Sequence, residues 1–232
     1  MMKVLQAVVL VVGLILVGME TGYVYAEAEG KMKVILDTDI GDDIDDAWAL
    51  ALLITHPKFE PLGVTVAHGN TPTRAKIACK ILHKTQQTHI PVSVGRKTND
   101  NESYQFSWAE DFNDLQPIDT PAAQFLVDAV KKYPKEVTVV AVGPLPNLRD
   151  AIEMGPDFEE NVKEVILMSG NIYGSAWKKD GPIGEYNVRA DVEAAQRVYG
   201  SNVKLTIVPL DSTTLVRLSD EERKRVREYR SP

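Results

Sequence analysis

The residues of greatest chemical interest in this sequence are six aspartates in the run from Asp37 to Asp46, Asp-Thr-Asp-Ile-Gly-Asp-Asp-Ile-Asp-Asp. An apolar stretch, 34–36, comes directly before the run, and a second, 47–50, directly follows it. Carboxylates held this close repel one another, and the apolar flanks keep them from dispersing into solvent. Because oxygen-rich sites select hard cations such as Ca²⁺ or Mg²⁺, the run predicts a divalent-cation site.

Two familiar kinds of site can be compared with this run. An EF-hand loop needs glycine at its sixth position and glutamate at its twelfth. Counted from Asp37, the glycine is fifth and the twelfth residue is Trp48, which excludes an EF-hand. A phosphatase of the haloacid-dehalogenase type also has two aspartates separated by one residue after a strand. In that case Asp37 would be the nucleophile and Mg²⁺ the cofactor.

The elements that must position the aspartates are strands and helices in alternation. Near-continuous apolar strands that alternate with helices predict an α/β fold, a mostly parallel central sheet with helices on both faces. Ligands of such sheets bind at the carboxyl ends of the strands, where the aspartates lie. The predicted strands are 34–36, 62–67, 91–94, 137–142, 165–168 and 204–208, and the predicted helices are 47–54, 71–84, 121–132, 147–154, 192–199 and a charged helix opened by Ser219.

A polar stretch, 96–120, interrupts the alternation and contains Tyr104, Phe106 and Trp108. Loops this long in compact domains are often functional. The stretch predicts either a lid that faces the substrate or an excursion packed on the surface.

The sequence resembles the inosine-uridine preferring nucleoside hydrolase family, whose signature is similar to Asp-Thr-Asp-Ile-Gly followed by Asp-Ile-Asp-Asp-Ala. Further similar segments follow in family order at the predicted strand ends, and together the likeness covers residues 33 to about 218. These segments are His68-Gly69-Asn70, Val142-Gly143-Pro144-Leu145-Pro146-Asn147, Met168-Ser169-Gly170, Glu185-Tyr186-Asn187 (where the family has Glu-Phe-Asn) and Val208-Pro209-Leu210-Asp211.

The resemblance implies a nucleoside-hydrolase-like, Rossmann-like architecture and Ca²⁺-dependent hydrolysis of ribonucleosides to ribose and free base. It implies that Asp39 is the general base and also a metal ligand. Asp46 and the backbone carbonyl of Val142 would complete the protein's part of the metal shell. The implied substrate-binding residues are Asp45, Asn70, Met168, Glu185 and Asn187.

The chain also departs from the family pattern. The family has a later His-Asp pair, the aspartate on calcium and the histidine assisting the leaving base, and this chain ends at Pro232 before such a pair. That predicts a fragment of a longer gene product or a truncated, inactive paralogue. Lys179 stands where some members have a ribose-contacting asparagine, so base preference is left open. A nucleoside- or ribose-binding protein without catalysis is the alternative function.

The ends, charge and cysteine content bear on location and partners. Residues 1–26, with Lys3, an apolar run and Val-Tyr-Ala, predict a cleaved signal peptide and hence a secreted or periplasmic domain over 27–232. The apolar run is shorter than a membrane-spanning helix, although an uncleaved anchor stays open. The net charge of -7 argues against nucleic acid as a partner. Cys79 is the single cysteine of the sequence, so no internal disulfide can form, and it is predicted to lie in the core. The resemblance to the family implies homo-oligomers.

Overall fold

A computed structural model describes residues 30–173 and 184–229. Its centre is a six-stranded sheet in which every pair of neighbouring strands is parallel. The strand order is β3-β2-β1-β4-β5-β6. The strands are β1 (Met32–Thr38), β2 (Phe59–Val66), β3 (Val92–Val94), β4 (Val137–Ala141), β5 (Glu164–Met168) and β6 (Leu205–Val208).

Helices connect the strands, as parallel pairing requires. The helices are α1 (Asp45–Thr55), α2 (Thr71–Lys84), α3 (Ala122–Lys132), α4 (Pro146–Glu153), α5 (Asp157–Asn161), α6 (Tyr186–Ala190), α7 (Val192–Tyr199), α8 (Leu210–Thr213) and α9 (Asp220–Glu228). A short 3₁₀ helix, Phe106–Trp108, lies between β3 and α3.

Two hydrophobic clusters cover the two faces of the sheet. Successive strand residues point to opposite faces, so Leu36 packs in the cluster with α1 and α2, and Ile35 packs in the cluster with α3, α4 and α7. Cys79 is buried in the first cluster, and burial raises the pKa of its thiol to about 12. The α/β fold with a parallel sheet and helices on both faces is thereby confirmed.

The strand order places a crevice above β1 and β4. From β1 the chain moves outward through β2 and β3, then returns to the other side of β1 and moves outward through β4, β5 and β6. The connections therefore diverge between β1 and β4, which leaves a gap at their carboxyl ends. Ligands of open α/β sheets bind in that gap. The aspartate run follows β1, and Val142 follows β4.

The predicted elements agree with the structure to within a few residues, and the differences are short. Helices α5, α6 and α8, each of four or five residues, were not predicted, since so few residues carry little periodicity. No helix among the described residues is long and apolar enough to cross a membrane. The predicted signal peptide, 1–26, and the departure at Lys179 lie outside the described residues.

Candidate active site

The end of β1 and the start of α1 form the acidic loop of the site, residues 37–46, called here the aspartate loop. The Thr38 hydroxyl donates to a carboxylate oxygen of Asp46 and accepts from the Ile40 amide at 3.1 Å. Asp45 and Asp46 are buried in the first turn of α1. Carboxylates are favoured at a helix N-terminus because the helix dipole is positive there. One threonine thus fixes both the loop and the helix that follows it.

The electrostatics of the aspartate loop favour the binding of a cation. Burial, followed by the charge of Asp46, raises the pKa of Asp39 well above its ordinary value. The same two causes raise the pKa of Asp45 to about 9, and burial raises that of Asp46 to about 6. The Oδ1 atom of Asp45 is buried without a hydrogen-bond partner. Anions in such surroundings are stabilised by a cation.

Asp37 lies beneath the loop as a structural residue. It is fully buried, and its Oδ1 accepts from the Thr65 hydroxyl at 2.6 Å and from the Asn147 amide at 2.7 Å. Burial raises its pKa to about 6. Under the phosphatase hypothesis, this carboxylate would be the attacking nucleophile. A fully buried carboxylate with one oxygen held by two donors is poorly placed for that role.

Arg74 is a residue of the site that the sequence did not single out. It lies on α2, is 5% exposed and pairs with Asp42 at 2.6 Å between Nη2 and Oδ2. Its other terminal nitrogen donates to the backbone carbonyls of Asp39 and Ile40, the latter at 3.0 Å. Arg74 therefore holds the backbone of the aspartate loop. A signal existed, because Arg74 occupies the buried helix face with Thr71 and Ala78, where an apolar residue is expected.

The turn after β4 approaches the loop from the other side of the crevice. A Cβ atom placed on Gly143 would lie 2.7 Å from Oδ1 of Asp39, so only glycine permits this approach. The Val142 amide donates to the Asp37 carbonyl at 2.9 Å, which continues the pairing of β1 with β4. Asp39 and the Val142–Gly143 turn are therefore neighbours at the switch point.

The turn after β5 and helix α6 lie next to the turn after β4 and complete that side of the crevice. Asn187 is buried, and its Nδ2 donates to the carbonyls of Val142 and Met168 at 2.9 and 3.0 Å. Glu185 caps α6 by accepting from the amides of Asn187 and Val188, at 2.7 and 3.1 Å, and it also accepts from Gly170 at 3.1 Å. These bonds fix three of the predicted substrate-binding residues around the Val142 turn.

On the β2 side, Asn70 precedes α2, and its side-chain amide donates to the carbonyl of Asp100 at 3.4 Å. His68 has a φ of 60° in the same turn, and its Nε2 lies 3.3 Å from the hydroxyl of Tyr186 on α6. This contact joins segments 118 residues apart, so no local pattern predicts it. Asn70 thus follows β2, whereas Asn187 contacts the carbonyls that follow β4 and end β5.

The stretch 96–120 packs against the aspartate loop. The amide of Gln105 donates to the carbonyl of Gly41 at 2.8 Å, its side chain donates to that of Asp43 at 2.9 Å, and the Tyr104 amide donates to Asp42 at 3.2 Å. The stretch therefore buttresses the acidic loop, while its role toward a substrate stays a prediction.

The donor set suits a hard divalent cation. Carboxylates of Asp39 and Asp46 and the carbonyl of Val142 are all oxygen donors, the type that Ca²⁺ and Mg²⁺ prefer. Within residues 30–173 and 184–229, no three acidic, histidine or cysteine side chains form a ready metal cluster. The fit rests on the buried, unpartnered oxygen of Asp45 and on the raised pKa values of its neighbours.

The fold and site define a doubly wound α/β protein with an acidic, oxygen-lined crevice at its switch point. The family model described as inosine-uridine preferring nucleoside hydrolase matches residues 34–232, and the chain belongs to this family. The resemblance seen in the sequence is thereby confirmed.

Relatives and solved structures agree with this membership. The chain is 32% identical to uridine nucleosidase 1 of Arabidopsis thaliana, over 88% of this chain and 63% of that protein. It is 31% identical to the pyrimidine-specific ribonucleoside hydrolase RihA of a Shewanella strain, over 86% and 65%. A plant nucleoside hydrolase structure matches with a TM-score of 0.68 and 31% identity, over 78% of this chain and 60% of that one. The chain thus spans a little over 60% of the curated relatives it matches.

Proposed function

We propose that this chain carries a site that hydrolyses the N-glycosidic bond of ribonucleosides, giving ribose and free base, with Ca²⁺ as cofactor. The observation that supports this proposal most directly is the close approach of the Asp39 carboxylate to the Gly143 turn, at the switch point of the sheet. Names of relatives, uridine nucleosidase and pyrimidine-specific ribonucleoside hydrolase, support this substrate class. Asp39, Asp46 and the Val142 carbonyl would hold the cation.

Cleavage of an N-glycosidic bond builds positive charge on the ribose ring. The protein must place a water at the anomeric carbon and remove a proton from it as the base departs. Asp39 is the proposed general base for that water. When bound, the cation orients water and the sugar hydroxyls and lowers the pKa of that water. Arg74 holds the backbone of Asp39, and the lack of a side chain at Gly143 leaves room for the Asp39 carboxylate.

We infer that polar groups around the crevice hold the sugar hydroxyls. The Nδ2 of Asn187 is engaged by two carbonyls, so its Oδ1 is the atom proposed to accept from a hydroxyl. Asp45 offers the unpartnered Oδ1. Asn70, Met168 and Glu185 are proposed to complete the sugar pocket. A pocket of paired polar groups rejects analogues that lack a hydroxyl.

We also propose that residues 1–26 direct export of the domain and are then removed, and that the domain associates into homo-oligomers. N-terminal sequencing of protein recovered outside the cytoplasm would test the first proposal, since the expected new terminus is Glu27. Sedimentation of the purified chain would test the second.

The function is tested by incubating the folded chain with uridine, cytidine, inosine, adenosine and guanosine. Reducing sugar and free base should appear in equal amounts from at least one of them. Nucleoside binding by calorimetry without release of sugar would instead support a binding protein. The absence of both binding and release, from protein shown to be folded by circular dichroism, would contradict the proposal.

A further inference from the structure

Tyr186 stands between two buried residues of the site but is itself 53% exposed. Glu185 caps α6 through two backbone amides, and Asn187 is anchored to the Val142 and Met168 carbonyls. The backbone on both sides of Tyr186 is therefore fixed. Its hydroxyl lies 3.3 Å from Nε2 of His68, a residue of the turn after β2.

The contact between Tyr186 and His68 crosses the crevice. His68 follows β2 and Tyr186 follows β5, and two strands, β1 and β4, lie between them. Adjacent strands are about 4.8 Å apart, so β2 and β5 are roughly 14 Å apart. With the tyrosine hydroxyl 3.3 Å from His68 Nε2, the pair must span the ends of β1 and β4. Asp39 and Val142 follow β1 and β4, the two strands that the pair spans, and the His68–Tyr186 pair is called here the roof of the crevice.

The hydrogen bonds around His68 set the direction of the phenol proton. Thr98 Oγ1 accepts from the Gly69 amide at 2.7 Å and lies 3.4 Å from His68 Nδ1. In the tautomer that the proposed role requires, the threonine proton points to Nδ1 and the imidazole proton is on Nε2. Nε2 then donates to the Tyr186 oxygen, and the phenol proton is left for a third group.

The imidazole of His68 and the phenol of Tyr186 are both neutral, so the tyrosine hydroxyl keeps a proton with which to donate a hydrogen bond. Burial and the nearby Arg74 lower the pKa of His68. Burial, with the charges of Asp39 and Asp42, raises the pKa of Tyr186. The tyrosine therefore keeps its proton in the presence of the aspartate loop.

We propose that the Tyr186 hydroxyl, oriented by His68, donates a hydrogen bond to the leaving nucleobase. This inference rests on the hydrolysis proposed above. A sugar seated on the aspartate loop lies beneath the roof, and a base that departs away from the attacking water meets it. The base nitrogen takes the electron pair of the C–N bond and finally a proton from solvent, in exchange for the water proton that Asp39 accepts and releases.

Leaving-group chemistry gives the test. Tyr186→Phe keeps the ring and removes the donor, and Tyr133→Phe, at the end of α3, is the matched control. The substrates are the nucleoside cleaved fastest by the parent and p-nitrophenyl β-D-ribofuranoside, whose leaving group is a stable anion. We expect Tyr186→Phe to lower kcat/KM on the nucleoside by roughly 10- to 100-fold, the range for a hydrogen bond to a charged group, and to lower it by less than about threefold on the nitrophenyl riboside.

The positioning role of His68 has the same readout. His68→Gln should lose activity in the same direction, more on the nucleoside than on the nitrophenyl riboside, while Tyr133→Phe should change neither. Equal losses on both substrates, or no loss with Tyr186→Phe, would overturn the role of the pair. A parent chain that cleaves neither substrate would overturn the proposed function itself, and the inference with it.

Discussion

The side-chain amide of Asn187 donates to the carbonyl oxygen of Val142 over 2.9 Å, and thereby joins helix α6 to the turn after β4. This carbonyl is also a proposed ligand of the cation. Its second lone pair is free, since a carbonyl oxygen has two. Asn187 therefore orients the ligand as well as lining the proposed sugar pocket.

Replacing Asn187 by aspartate should separate these roles from simple packing. The side chain keeps its shape but sets an acceptor against two carbonyls, at Val142 and Met168. We expect kcat/KM to fall by roughly 10- to 100-fold, the effect of losing one to two buried hydrogen bonds. Asn161→Asp is the control, because Asn161 also donates to a backbone carbonyl but precedes β5. Comparable losses in both variants would contradict the account.

Removal of Arg74 should destabilise the fold and the site together. Arg74→Met leaves Asp42 and two loop carbonyls without their buried donor, which we expect to lower the free energy of unfolding by about 2–4 kcal/mol. Urea denaturation measures this loss. Arg96→Met breaks a pair in which Arg96 is half exposed, and it should change stability by less than about 1 kcal/mol. Similar losses in the two variants would show that the buried contacts of Arg74 stabilise the fold no more than an exposed ion pair does.

The close approach of Gly143 to Asp39 gives a steric prediction. In Gly143→Ala the new methyl group would lie 2.7 Å from Oδ1 of Asp39 and force that carboxylate aside. Displacements of about 1 Å reduce catalysis by about 100-fold, and we expect a loss of that order in kcat. Gly30→Ala is the control, since nothing lies within 4 Å of its Cβ position. Unchanged turnover in Gly143→Ala would mean that Asp39 does not act from this position.

The proposed base can be tested by Asp39→Asn. The amide cannot take a proton from water, so kcat should fall by about 100- to 10,000-fold while some nucleoside binding is retained. Asp43→Asn, an exposed position in the same loop, should have little effect. Binding is followed by calorimetry and turnover by sugar release. Normal turnover in Asp39→Asn would exclude this residue as the base.

The fold was predictable because each strand is a short apolar run and each long helix carries a clear period. Helix α2 was predicted at 71–84, the bounds it has, because Thr71 and Lys84 enclose one continuous pattern. The start of α9 was predicted at Ser219, and there Ser219 and Glu222 form a capping box. The four- and five-residue helices carried no such signal.

From residue spacing alone, the site was predictable only where its residues cluster in the sequence, and the more distant candidates came from the family resemblance. Asp39, Asp45 and Asp46 stand in one run, and their common loop follows from that. Arg74 is 32 residues from Asp42, and His68 is 118 from Tyr186, so these contacts follow from the packing of strands and not from spacing. The capping bonds of Glu185 likewise depend on a helix too short to predict.

The most direct test of the central claim is sugar release from the best nucleoside as a function of Ca²⁺, after removal of metal with a chelator. We predict little release in chelator and recovery that saturates with Ca²⁺. We also expect a higher thermal midpoint with Ca²⁺, because a cation that binds only the folded state stabilises it. Full release in chelator, with no shift of the midpoint on adding Ca²⁺, would contradict a cation at Asp39, Asp46 and Val142.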